Sequence, residues 1–231
     1  MSKTDIKKID AVVFDMAGTT IDEGKTVYRC VQEAIACFGY DYNLEEVVGR
    51  IGGMNKKEGI RLLMNNQSEV SEADVDNAFE LFREKVEQAY RTDDSVKEKT
   101  GATRLFRFLK DHEIKVVLDT GYYRSTADIL INKMDWQAEN LIDFSITSDE
   151  VAKGRPEPLM IEKMVAYFDF ENAGKVIKVG DTRSDIEEGH NAGCYAVVGI
   201  SSDQYSRQDL LDMGATHAID ELAELKEIIT A

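Results

Sequence analysis

Chemistry in this chain could begin at Asp15, which closes the β-branched run AVVFD and opens FDMAGTTID, residues 14–22. A carboxylate at the carboxyl end of a buried strand, followed by a small flexible turn and two hydroxyls, is well placed to act as a nucleophile. DxxGT is a short string, and capping of the next element is the competing role. A second acidic group stands in VGDTRSDIEEGHNAG, residues 179–193, where Asp181 ends another such run and Asp185 follows one turn later. Two or three carboxylates converging at neighbouring strand ends repel one another unless a cation joins them. Magnesium, a hard ion that takes oxygen ligands and keeps several waters, suits that position and would also neutralise a phosphoryl group. Helix N-capping is the alternative role for Asp181 or Asp185.

Two further elements fit the same chemistry. In LDTGYYRS, residues 118–125, the Thr120 hydroxyl and the Gly121 amide could hold phosphoryl oxygens. In AKGRPEPLMI, residues 152–161, Lys153 and Arg155 precede Pro156, and a cation there could balance the charge on Asp15 and on an anionic substrate. Tyr122, Tyr123 and Arg124 are explained equally by packing at a helix start. His190 is a lone histidine in a helical run and receives no role.

These residues need strands that end together. Short apolar runs recur at 11–15, 115–120, 144–148, 175–181 and 194–200, separated by helical segments such as GATRLFRFLKDH and PEPLMIEKMVAYFD. The alternation predicts a doubly wound parallel α/β sheet with THAID, residues 216–220, at an edge, and a ligand crevice at the carboxyl ends of the strands. About a hundred residues separate the first run from the second, too many for a crossover connection, so a helical domain is expected to be inserted there. Val27, Val31, Ile35 and Phe38 line one helix face ending near Gly39; Val75, Ala78, Phe79, Phe82, Val86 and Tyr90 line another, with Ser71 and Asp74 as its start signal.

Composition restricts the partners. With 44 acidic against 28 basic residues the formal charge is −16, which opposes binding to nucleic acid or to an anionic membrane surface. A small anionic substrate must therefore be met by local positive charge. MSKTDIKKID shows no apolar segment after its charges, no run has the length of a spanning helix, and the cytoplasm is the expected compartment. Cys30, Cys37 and Cys194 form no CxxC pair, and neither a disulfide framework nor a zinc site is indicated.

Taken in order, the four elements from Asp15 to Gly193 resemble the four motifs of the haloacid dehalogenase superfamily. The resemblance implies a Rossmann-like core (residues 1–25 and 98–231) with an inserted helical cap (26–97), an aspartyl-phosphate on Asp15, and magnesium held by Asp15, the Ala17 carbonyl and Asp181, with Asp185 in support. Most phosphatases of the superfamily carry an acidic general acid where this chain has Ala17, and losing such a group typically costs roughly 10²- to 10⁴-fold. DMAGTT, GYYRS and GRPEP are similar to the phosphonatase branch, phosphonoacetaldehyde hydrolase. There a P–C bond is broken, a cap lysine forms an imine with the aldehyde, and Arg155 matches the third-motif cation.

In GRIGGMNKKEGIRLL, Lys56 has the spacing of the imine lysine, with Lys57 adjacent; exposed lysines at a helix start are the competing reading. Gly52 and Gly59 stand where that branch carries Met and His. The branch also implies cap-mediated homodimers. The alternatives are a phosphomonoester phosphatase of phosphoglycolate or sugar-phosphate type, a non-catalytic binding protein on the same fold, and a metal-independent dehalogenase, against which Asp181 and Asp185 weigh.

Overall fold

The computed structural model describes residues 9–51, 54–65 and 70–230. The chain divides into two compact units, one formed by residues 1–22 and 97–231 and the other by Glu23–Val96.

The first unit holds β1 (Ala11–Phe14), β2 (Ile21–Asp22), β3 (Lys97–Glu98), β4 (Lys115–Thr120), β5 (Phe144–Thr147), β6 (Val176–Gly180), β7 (Ala196–Ile200) and β8 (His217–Ile219). Six of these make a parallel sheet in the order β5-β4-β1-β6-β7-β8, with β8 at an edge as its sequence predicts. β2 and β3 pair antiparallel as a short ribbon. The central strands are continuous apolar runs because helices cover both faces. Every residue of β1, β6 and β7 is buried, Lys178 included. Phe14, Phe106 and Trp136 meet at steep interplanar angles in the core, with ring centroids 5.3 and 5.1 Å apart; Ile161, Met164 and Val176 belong to a second buried cluster with Val13 and Val117.

The second unit is helical: α1 (Thr26–Ala36), α2 (Leu44–Ile51), α3 (Lys56–Met64) and α4 (Glu72–Thr92). Most of the 3.6-residue periodicity is realised: Val27, Val31 and Ile35 of α1 and Val75, Ala78, Phe82, Val86 and Tyr90 of α4 are buried, whereas α1 ends at Ala36, short of Phe38, and Phe38 and Phe79 are half-buried. Ser71 caps α4 by accepting the Asp74 N–H, and Asn55 caps α3 by accepting the N–H groups of Lys57 and Glu58. The remaining helices belong to the first unit: α5 (Ala102–Asp111), α6 (Arg124–Lys133), α7 (Leu159–Tyr167), α8 (Arg183–Asn191), α9 (Arg207–Asp212) and α10 (Leu225–Thr230). Among the described residues no helix is long and apolar enough to cross a membrane.

Register sets the site. Phe14 lies beside Leu118 on β4 and Val179 on β6. One residue further along, Asp15, Asp119 and Gly180 therefore come level at the carboxyl edge, and the Asp15 N–H still donates to the Val179 carbonyl at 2.9 Å.

Candidate active site

At that edge Arg155 joins four carboxylates. Its Nη1 donates to Asp15 Oδ1 at 2.7 Å and lies 2.8 Å from Asp185 Oδ1. Its Nη2 donates to the Asp119 carbonyl at 2.7 Å and also to the Asp119 carboxylate, while Nε is 3.2 Å from Glu188 Oε2. Lys178, wholly buried in β6, reaches Asp119 Oδ1, stands 2.8 Å from Glu188 Oε2 and lies 3.3 Å from Asp185 Oδ1. A guanidinium suits this position because its rigid planar fork spreads five N–H donors over the four carboxylates.

The protonation of the cluster follows from burial and neighbours. Burial raises the Asp15 carboxyl to about 6, with Asp185 adding to the rise and Arg155 and Lys178 opposing it. Burial also acts on Asp119, but Arg155 and Lys178 outweigh it and hold that group at about 2. Burial and Asp119 push Glu188 up to about 8. No hydrogen bond reaches Asp119 Oδ2 or Glu188 Oε1. Burial and Arg155 depress Lys178, yet the surrounding carboxylates prevail and it stays protonated.

Asp181 stands apart from that ion-paired group. It follows β6, takes a 3.3 Å hydrogen bond from Thr19 Oγ1, and is raised well above the ordinary carboxylate range by burial, then by Asp15 and Asp185. A Cβ on Gly18 would overlap Asp181 Oδ2, and one on Gly180 would overlap Asp185, so each acid needs a glycine to reach the strand edge. Oxygens of Asp15, Asp119 and Asp185 lie within 4.8 Å of one another, close enough to hold an ion. Arg155 and Lys178 already bridge those three, whereas Asp181 is held against Asp15 and Asp185 at a cost that a divalent cation would relieve. Gly18→Ala is expected to displace Asp181 and lower divalent-cation affinity about 10- to 100-fold, the range for lost support around metal ligands. The check is the cation-induced rise in Tm, which should shrink in the variant at fixed cation concentration.

The other residues singled out from sequence fall as follows. Thr120 is buried at the end of β4, where its Oγ1 accepts the Tyr122 N–H at 3.2 Å; the Gly121 carbonyl accepts Ser148 Oγ at 2.9 Å. Ala17 sits in the Met16–Ile21 turn, and its methyl offers no proton. Asp185 also forms the capping box of α8 with Thr182. Lys153 is exposed beside Glu157, outside the Arg155 cluster. Arg124 ties α6 to Ser145 and Glu150, and His190 Nε2 pairs with the Gly214 carbonyl, so both have structural work.

Lys56 belongs to the helical unit. It is the first residue of α3, donates from Nζ to the Met54 carbonyl at 2.8 Å, and lies over the Tyr28 ring at 5.1 Å from its centroid. Lys57 pairs instead with Asp76 at 2.7 Å. Gly53, where the glycine-to-lysine segment begins, and Gly52 before it lie outside the described residues.

Sequence reading missed Asp119, Lys178 and Glu188. The signals were present: a lysine inside the otherwise apolar run VIKVG, an aspartate beside Thr120, and a glutamate one helical turn after Asp185.

A buried nucleophile candidate at the end of the central strand, charge-paired and close to further carboxylates, defines a hydrolase of the α/β class. The chain belongs to the haloacid dehalogenase-like hydrolases, whose family signature matches residues 12–199. It is related to phosphonoacetaldehyde hydrolases, as the motif resemblance implies. Similar relatives include phosphonoacetaldehyde hydrolase of Bacillus cereus strain G9842, 29% identical with 96% of each chain covered. The corresponding enzyme of strain ATCC 14579 is 32% identical over 82% of this chain and 75% of that one. Among solved structures, a phosphonoacetaldehyde hydrolase-like protein from Oleispira antarctica is 25% identical, with a TM-score of 0.78, 100% of this chain and 95% of that one covered. A predicted phosphoglycolate phosphatase from Haemophilus somnus 129PT shares the fold at TM-score 0.82 and 15% identity, over 96% of this chain and 98% of that one.

Proposed function

We propose that Asp15 attacks the phosphorus of a small phosphonate bearing a carbonyl group, giving an aspartyl-phosphate that water then hydrolyses. The observation that carries this reading is the grip of Arg155 on Asp15 Oδ1: the nucleophile is oriented by the same guanidinium that can face phosphoryl charge. Thr120 and Gly121, at the end of the neighbouring strand, are the partners for phosphoryl oxygens. The nucleophile must be ionised. Without a cation burial raises the Asp15 carboxyl to about 6, and magnesium bound to it would lower that value. The rise of rate with pH should therefore lie below 6 and move down as magnesium is added. Magnesium fits the acidic edge; Asp15, the Ala17 carbonyl and Asp181 would hold it, Asp185 would support them, and when bound it would neutralise phosphoryl charge.

Ala17 bears on the substrate. Breaking a P–O ester expels an alkoxide that needs a proton, and no acid stands at this position beside the nucleophile. When a P–C bond breaks next to an imine, the electron pair instead enters the iminium and leaves an enamine. Lys56, at the head of α3 in the helical unit, is the amine proposed for that imine. Its existing contacts with the Met54 carbonyl and Tyr28 favour a second reading, a phosphomonoesterase in which Lys56 is structural.

The two readings separate on phosphate release from phosphonoacetaldehyde and from a panel of phosphomonoesters, with magnesium, for wild type and Lys56→Arg. Release from the phosphonate that the variant loses by about 10²-fold or more supports the P–C reading. Release only from an ester, indifferent to Lys56, supports the other.

A further inference from the structure

Lys99 is a cation beside the nucleophile turn that the chemistry above does not use. It follows β3, whose Glu98 pairs with Ile21 of β2, and that pairing carries Lys99 alongside the turn after Asp15. The Lys99 N–H donates to the Thr20 carbonyl at 2.8 Å. Its half-buried side chain folds back, and Nζ donates to the Gly18 carbonyl at 2.6 Å. One residue thus holds the turn by backbone and by side chain, and all these groups belong to the first unit.

What Lys99 holds bears on the acidic edge. Gly18 stands between Ala17, whose carbonyl is proposed above as a magnesium ligand, and Thr19, whose hydroxyl donates to Asp181 at 3.3 Å. A trans peptide is planar, so its carbonyl points opposite to its N–H. The Gly18 N–H donates to the Ile21 carbonyl at 2.9 Å, which turns the Ala17 carbonyl away from Ile21. The next peptide is pinned at both ends: the Thr19 N–H donates to the Met16 carbonyl at 3.3 Å, and the Gly18 carbonyl accepts from Lys99. The ammonium bond is the shorter and, being charge-assisted, the stronger of the two. Gly18 has a φ of 82° and no side chain to restrict its rotation, so the peptides on either side of it depend on such bonds for their direction.

We infer that Lys99 is a positioning residue for the cation site: by gripping the Gly18 carbonyl it fixes the Ala17 carbonyl for the ion, an inference that rests on the magnesium assignment above. A second effect of the same lysine runs the other way. Burial, then Asp15 and Asp185, raise the Asp181 carboxyl, and the positive charge of Lys99 works against them. A lysine that only added charge there would oppose a divalent ion, whereas one that orients a ligand carbonyl favours it. Removal of Lys99 therefore changes cation affinity in opposite directions under the two roles.

The test is the magnesium concentration that raises Tm by a fixed increment, titrated from chelator for wild type, Lys99→Met, Lys99→Gln and Lys99→Arg, a readout that needs no turnover. Lys99→Met should need about 10-fold more magnesium for the same increment, although it removes a positive charge. Lys99→Arg keeps both charge and donor and should bind magnesium more tightly than Lys99→Met. Lys99→Gln, with a neutral donor on a shorter stem, should also be weaker than wild type, and it decides the matter if Lys99→Met does not fold. A lower Tm in chelator with an unchanged magnesium requirement, or a requirement below that of wild type, overturns the inference and leaves the magnesium site standing. A wild type whose Tm does not respond to magnesium overturns that site and this inference with it.

Discussion

Asp15→Asn should lose at least about 10⁴-fold in turnover, as removal of a nucleophile does elsewhere, and should at the same time be more stable than the wild type at pH 8 without divalent cation. The two effects share one cause. The Asp15 carboxyl has an ordinary value of 3.8 and stands at about 6 in the fold, chiefly through burial. Its protonated form therefore favours the folded state: that contribution is complete below pH 3.8 and is lost as pH rises through 6. The gap corresponds to about 3 kcal/mol at pH 8. Asn carries no charge and escapes the loss, while Asp119, Asp185 and Glu188 still surround Arg155. The check is a pair of Tm curves against pH in chelator, which should converge near pH 4 and separate above 6. Adding magnesium should raise Tm for the wild type more than for the variant, because binding to the folded state alone stabilises it. A variant that turns over normally, or that is destabilised at pH 8, contradicts this picture.

The second large effect is expected at a residue with no direct part in the reaction. Lys178→Met keeps an unbranched apolar stem in β6 but removes a cation that no water can replace, leaving Asp119, Asp185 and Glu188 facing one another with Arg155 alone. Breaking a buried ion pair from one side typically costs roughly 3–5 kcal/mol, a large part of the roughly 5–15 kcal/mol that holds a domain folded. Glu188→Gln added to Lys178→Met should recover part of the loss, since it removes one of the stranded acids. The three variants and the wild type form a cycle, read by urea denaturation, whose coupling should be of order 1–3 kcal/mol. Strict additivity would mean that Lys178 and Glu188 act independently, against the 2.8 Å contact between them.

The site was legible in sequence as far as its residues lie at strand ends. Asp15, Thr120 and Asp181 each close or follow a β-branched run, and parallel pairing brings such ends together whatever the intervening length. Arg155 was legible by its place before a helix, but not its four carboxylate partners, because a guanidinium finds acceptors in three dimensions. Lys178 was hidden by the strength of the pattern around it: in VIKVG a single charge reads as noise unless three acids are known to converge on it. Glu188 was hidden in the acidic run IEEG, where only helix phase, one turn from Asp185, tells the buried acid from the exposed one. The head of α3 could have been read more fully, since Asn55 followed by Glu58 is a helix-start signal and assigns Lys56 to the first turn.

The decisive measurement is covalent phosphate on the protein. Wild type and Asp15→Asn are mixed with magnesium and radiolabelled phosphonoacetaldehyde or acetyl phosphate, quenched in acid within milliseconds, and digested for peptide mapping. Acid-stable, base-labile label on the peptide that contains Asp15, formed at least as fast as phosphate is released and absent from the variant, is the expected result. Phosphate release at full rate with no label on the wild-type protein, together with turnover that survives in Asp15→Asn, would contradict it and remove Asp15 from the role of nucleophile.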